Sequence, residues 1–178
     1  MSHYEKTFLD GVMIITPNIH EDKRGFFFES FNSKEFNSNG IDLSFVQDNH
    51  SKSSRNTLRG LHFQKKNPQG KLVRCTRGEV FDVVVDIDPK SNNFRKSFSI
   101  ILSEENNLQL WIPPGYAHGF CVLSEEADFQ YKCTDFYYPS DQFGIIWNDP
   151  EINIDWPLDA PIISDKDSLL PTLEEYLK

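Results

Sequence analysis

Between Val12 and Trp156 the chain sustains no long helical stripe. It breaks into short apolar runs closed repeatedly by Gly, Pro, Asn and Asp. Runs of this length, rich in Val, Ile, Phe and Tyr, are strand signals, and the punctuation between them marks turns. Val12–Thr16 stops at Pro17, and Phe26–Phe31 follows a turn over Glu21–Gly25. Phe45–Asn49, Leu58–Gln64, Lys71–Arg77 and Val80–Ile87 continue the series. After them come Phe98–Leu102, Leu108–Ile112, Ala117–Leu123, Phe129–Tyr138, Ile145–Trp147 and Ile152–Trp156. Only two short helices are expected, one capped by Ser33 and closed by Gly40, the other over Leu169–Leu177. So many short strands with so little helix predict an all-β fold: an antiparallel sandwich, jelly roll or barrel with a ligand site in its mouth. No repeat, low-complexity tract or linker divides the 178 residues, so a single domain over 1–178 is expected.

The aromatic content of 13%, led by 15 Phe, agrees with that β reading. A net charge of −9 argues against nonspecific binding of nucleic acid or of an anionic membrane surface. It leaves room for a small anionic ligand, because cations gather at Arg24, Arg55, Arg59, Lys71, Arg74 and Arg77. Cys75, Cys121 and Cys133 stand singly, without CxxC or zinc spacing, as expected of reduced thiols in a cytoplasmic protein. The first residues carry no apolar signal core and no run reaches membrane-spanning length.

The stretch with most chemistry is Leu58-Arg59-Gly60-Leu61-His62-Phe63-Gln64, followed by Lys71 beyond the turn Asn67–Gly70. Arginine is a fixed cation suited to phosphate, and histidine moves protons near neutrality. On a regular strand Arg59 and His62, three apart, would face opposite ways, so Gly60 is expected to mark a bulge that re-aims one of them. His118 follows the corner Pro113-Pro114-Gly115 and either faces a ligand or ties that corner down. Tyr131 and Tyr137, read on one strand face, are packing residues or a proton donor opposite a histidine. The carboxylates of Ser164-Asp165-Lys166-Asp167 are surface charges or reach back to an imidazole. Gln64 stands two after His62 and no His-x-His occurs, so no bound metal is expected.

Taken together, these stretches resemble the dTDP-4-dehydrorhamnose 3,5-epimerases, cupin-fold enzymes of dTDP-L-rhamnose biosynthesis. The matching text is Asp22–Glu29, Gln47-Asp48-Asn49 with Ser51, Leu58–Gln64, Gln69–Val73, Pro113–Phe120, Tyr131-Lys132, Trp147–Pro150 and Ser164–Asp167, in family order. The resemblance implies a cupin-type jelly roll with a few peripheral helices, a homodimer, and no cofactor. It implies His62 as general base backed by Asp167, Tyr131 as general acid, and Lys71 at the enolate oxygen with His118 nearby. Arg59 would hold the diphosphate, with Gln47 and Asn49 lining the same pocket. Arg24, Phe27 and Glu29 would hold the thymidine, in this family often across the dimer interface. Tyr137, Gln142 and Lys166 would be further substrate contacts.

The implied substrate is a dTDP-linked 4-ketosugar, epimerised at C3 and C5. The chain departs from the family at Gln142, where Glu is usual, and at Asp88, where Arg is common. Relatives that invert a single carbon share most of these motifs, so a C3-only or C5-only epimerase is an alternative. So is a noncatalytic sugar-nucleotide-binding β-module. A metal-dependent cupin oxygenase is a third, disfavoured by the missing His-x-His.

Overall fold

Thirteen short strands, three short α-helices and one 3-10 turn over Pro139–Asp141 make up the computed structural model, which describes residues 1–178. They are β1 His3–Lys6, β2 Met13–Thr16, β3 His20–Asp22, β4 Gly25–Phe27, α1 Ser33–Ser38 and β5 Gln47–Ser54. The middle of the chain gives β6 Leu58–Gln64, β7 Lys71–Arg77, β8 Glu79–Asp86, β9 Ser97–Ser103, β10 Gln109–Ile112 and β11 Tyr116–Val122. The chain closes with β12 Glu126–Cys133, β13 Gln142–Gly144, α2 Asp165–Ser168 and α3 Leu173–Leu177. No helix is long and apolar enough to cross a membrane.

A six-stranded sheet in the order β1-β2-β10-β7-β12-β5 packs on a five-stranded sheet in the order β13-β6-β11-β8-β9. Every pairing is antiparallel, as in the expected jelly roll. Between the sheets lie Val73, Leu110, Ile112 and Phe129 from one and Val80, Val84, Phe120 and Val122 from the other. Each such buried side chain contributes on the order of 1.5–3 kcal/mol.

Strand period separates the two faces of β8, and both turn out to be buried. Val80, Asp82 and Val84 point between the sheets, while Val83 and Val85 point outward beneath Ile145, Ile152, Trp156 and Leu173. The chain after β13 therefore forms a cover over the outer face of the five-stranded sheet. Asp149 pins it by accepting the Ile152 N–H (2.9 Å) and the Leu173 N–H (2.7 Å). This cover is what carries Asp167 back to β6.

Several elements differ from the sequence expectation. Asn32, not Ser33, caps α1, its Oδ1 accepting the Lys34 N–H at 3.1 Å; asparagine caps as well as serine does and stands one residue earlier. Gly40 closes the helix at φ +89°, as expected. Of the predicted terminal helix Leu169–Leu177 only α3 forms, because Pro171 disfavours helix at Leu170 and the Thr172–Glu175 capping box starts the helix after it; α2 over Asp165–Ser168 was not expected. Phe26–Phe31 keeps only Gly25–Phe27 as strand, paired with β3 in an isolated hairpin, and Phe31 leaves it to pack on Phe36 and Phe45. Ile145–Trp147 and Ile152–Trp156 form no strands; their apolar side chains serve the cover instead.

The expected strand Phe129–Tyr138 ends at Cys133, where both neighbours run out, opposite Lys71 on β7 and Gln47 on β5. Tyr131 and Tyr137 therefore do not share a strand.

Candidate active site

Register explains how Arg59 and His62 come to face one cavity. On β11 their partners are Phe120 and His118, so Gly60 and Leu61 together oppose Gly119 alone. This is the bulge expected at Gly60, whose φ is +124°. A Cβ there would lie 2.6 Å from Gly119 Cα and 2.8 Å from the His118 oxygen, so only glycine fits. With the extra residue absorbed, Arg59 and His62 both line a cavity of about 550 Å³ at the open end of the two sheets.

His62 Nε2 lies 2.7 Å from Asp167 Oδ1. The sequence Ser164-Asp165-Lys166-Asp167 sets this up, because Ser164 Oγ caps α2 by accepting the Asp167 N–H at 3.1 Å. Burial pushes the Asp167 carboxyl up, but its bonds with His62, the Gly60 backbone and Ser164 outweigh this and hold it below the ordinary range. An ionised carboxylate only accepts, so Nε2 carries the proton and Nδ1 keeps the lone pair.

Beside this pair, Lys71 is 9% exposed, and burial pushes its ammonium below the ordinary lysine value against the pull of Cys133 and Asp82. Its Nζ lies 3.5 Å from the His62 carbonyl oxygen. His118 stands opposite His62 in register, and its Nε2 is 2.9 Å from Asp82, a carboxylate with no exposed surface. Burial lowers the His118 pKa more than Asp82 raises it, so the contact is a neutral imidazole N–H donating to a carboxylate.

Tyr131 approaches from β12 on the other sheet, so the cavity has the imidazole on one wall and the phenol on the facing one. Burial pushes the Tyr131 phenol up to about 12, so it holds its proton at neutral pH. A base and an acid on opposed walls, with a cation lining the same cavity, can remove a proton from one face of a carbon and return one to the other.

The family model for dTDP-4-dehydrorhamnose 3,5-epimerase matches residues 6–175. The chain belongs to this family. It is 53% identical over 176 residues to the dTDP-4-dehydrorhamnose 3,5-epimerase of Escherichia coli K12, covering 97% of this chain and 95% of that one. A dTDP-6-deoxy-D-glucose-3,5-epimerase from Legionella pneumophila, solved in complex with dTDP-4-keto-L-rhamnose, superposes with a TM-score of 0.95 at 49% identity. That match covers 98% of this chain and 94% of the other. A 3'-monoepimerase from Streptomyces bikiniensis in complex with dTDP-quinovose gives a TM-score of 0.91 at 32% identity, over 96% and 89% of the two chains.

Within this epimerase-family cavity, Gln142 and Lys166 line the mouth, and the Gln142 Oε1 accepts both Lys166 Nζ (2.9 Å) and the Tyr137 hydroxyl (2.6 Å). Arg59 Nε donates to Ser53 Oγ at 3.1 Å, which aims the guanidinium along the wall. Gln47 and Asn49, expected on the same wall, lie outside its lining. Their side chains bond each other at 3.1 Å, and Asn49 borders a neighbouring groove of about 330 Å³ with Arg74 and Lys132.

Arg24, Phe27 and Glu29 also stand outside the cavity of their own chain. Arg24 pairs with Asp22 and Phe27 is 69% exposed on the β3–β4 hairpin, while Glu29 accepts from Asn32. Sequence reasoning passed over Asp82 as a site residue; its signal was a carboxylate embedded in the apolar run Phe81–Val85. Ser51, matched to the family motif but given no role, lines the cavity with a buried hydroxyl that has no partner. No cluster of three His, Cys, Asp or Glu side chains could hold a metal ion.

Proposed function

We propose that this chain converts dTDP-4-keto-6-deoxy-D-glucose to dTDP-4-keto-L-rhamnose by inverting C3 and C5. The observation that carries the reading is the His62–Asp167 pair facing Tyr131 across one cavity. The C4 ketone acidifies the hydrogens on both neighbouring carbons, because each carbanion delocalises into an enolate. His62 Nδ1 takes the C–H proton, and Asp167 steadies the imidazolium that forms. The Lys71 ammonium meets the charge developing on the C4 oxygen, with the buried His118–Asp82 pair behind it. Tyr131 then delivers a proton to the opposite face of the ring; the imidazolium releases its proton to solvent and the phenolate takes one up, and the reset groups act on the second carbon. Each step exchanges protons only, so no electron acceptor is needed.

Arg59 and Lys166 supply the positive lining that a nucleoside diphosphate needs in an acidic protein. Arg24, Phe27 and Glu29 contribute to the nucleotide site of a second copy, which makes the working unit a homodimer. The three unpaired thiols fit a reducing cytoplasm.

The test is incubation with dTDP-4-keto-6-deoxyglucose in D₂O, read by NMR. Deuterium should enter at both C3 and C5. Exchange at one carbon would reassign the protein to the monoepimerases, and exchange at neither would overturn the epimerase reading.

A further inference from the structure

Past Cys133 the chain has no neighbouring strand, yet the backbone of the next residues is held almost atom by atom, and by side chains. Gln64 holds it on both sides of Tyr137. The residue is 5% exposed; its Nε2 donates to the Phe136 carbonyl (3.1 Å) and the Asn67 carbonyl (2.7 Å), and its Oε1 accepts the Tyr138 N–H (2.8 Å). The intervening Tyr137 N–H donates to Gln47 Oε1 at 2.9 Å. In the sheet Gln64 is paired with Gln142, the residue whose Oε1 accepts the Tyr137 hydroxyl. Two glutamines side by side thus hold the same tyrosine, one by its flanking backbone and the other by its phenol.

We propose that Gln64 is a positioning residue, whose buried amide sets Tyr137 at the cavity mouth and through it the Gln142–Lys166 contact. The proposal rests on the epimerase reading and extends it to a residue that lines no part of the cavity. The physical reason is satisfaction. A loop without a ladder leaves backbone groups that must be paired, and one amide with two donors and an acceptor pairs two of them, at Phe136 and Tyr138, together with the Asn67 carbonyl. Any shorter or apolar side chain at this position orphans those groups, and the loop must move to find water. Tyr137 is 48% exposed, so burial alone fixes it weakly and these bonds set its place.

A double-mutant cycle tests this in the full-length protein: wild type, Gln64→Met, Tyr137→Ala and the double variant. Gln64→Met should raise KM for the dTDP-4-ketosugar roughly tenfold and change kcat less than about threefold, the pattern of lost binding. The double variant should be no worse than Tyr137→Ala alone, because Gln64 acts through Tyr137. Wild-type KM in a folded Gln64→Met protein, or fully additive losses in the double variant, would overturn the proposal. If circular dichroism shows Gln64→Met unfolded, Gln64→Glu replaces it, keeping the acceptor for Tyr138 while setting a carboxylate against two carbonyls. If the wild type itself exchanges no sugar proton, the epimerase reading fails separately. Calorimetric dTDP binding by the same four proteins then decides the coupling.

Discussion

Asp167→Asn changes one atom at the base and leaves its shape. In the wild type the carboxylate accepts from His62 Nε2 at 2.7 Å, with side chains only 8% (Asp167) and 27% (His62) exposed, so solvent screens the bond weakly. A hydrogen bond to a charged group is worth about 1.5–3 kcal/mol, and most of this is realised when His62 becomes an imidazolium. The amide keeps an acceptor but loses the charge, and it can turn its NH₂ toward the imidazole and favour the wrong tautomer. Converted to rate, the loss predicts a fall in kcat of about 10- to 150-fold. The assay is deuterium wash-in at C3 and C5 under saturating substrate, with thermal unfolding as control. The carboxyl lies below its ordinary value when folded. Its stabilisation is therefore complete above the unfolded value of about 4 and is lost as pH falls through the lower folded value. The variant should show a smaller stability difference between about pH 3 and pH 6 than the wild type. A wild-type exchange rate in folded Asp167→Asn would refute the assignment of the pair as the base.

Lys71→Met should cost roughly 100- to 1000-fold in kcat, because the buried cation meets the developing oxyanion. Its melting temperature should hold or rise, since an ammonium desolvated in the fold is removed; a fall in stability without loss of rate would contradict this. Tyr131→Phe should slow inversion roughly a hundredfold or more while deuterium wash-in persists, as the base is untouched; wild-type inversion would move the acid role to Tyr137. Gly60→Ala should destabilise by about 2–5 kcal/mol in urea unfolding, from positive φ and overpacking against Gly119. Unchanged stability there would mean that the bulge tolerates a side chain.

The sequence by itself determined what is local. Period-two runs and turn residues sufficed for an all-β fold. The Arg59–Gly60–His62 spacing demanded a bulge, which the pairing with Phe120 and His118 supplies. The match of motifs pointed to the family and to most of the cavity lining.

What only the tertiary structure decided is which distant groups meet and which strands lack neighbours. Asp167 reaches His62 because the chain after β13 folds back over an apolar sheet face, a contact across 105 positions that no local pattern encodes. Asp82 read as one acid in an apolar strand, and only the juxtaposition of β8 with β11 made it the partner of His118. Tyr137 kept strand period in sequence and still left the strand, because a ladder ends where its neighbours end, whatever the side chains prefer. Periodicity reports which face a residue would occupy; closure of the two sheets decides whether that face holds solvent, core or substrate.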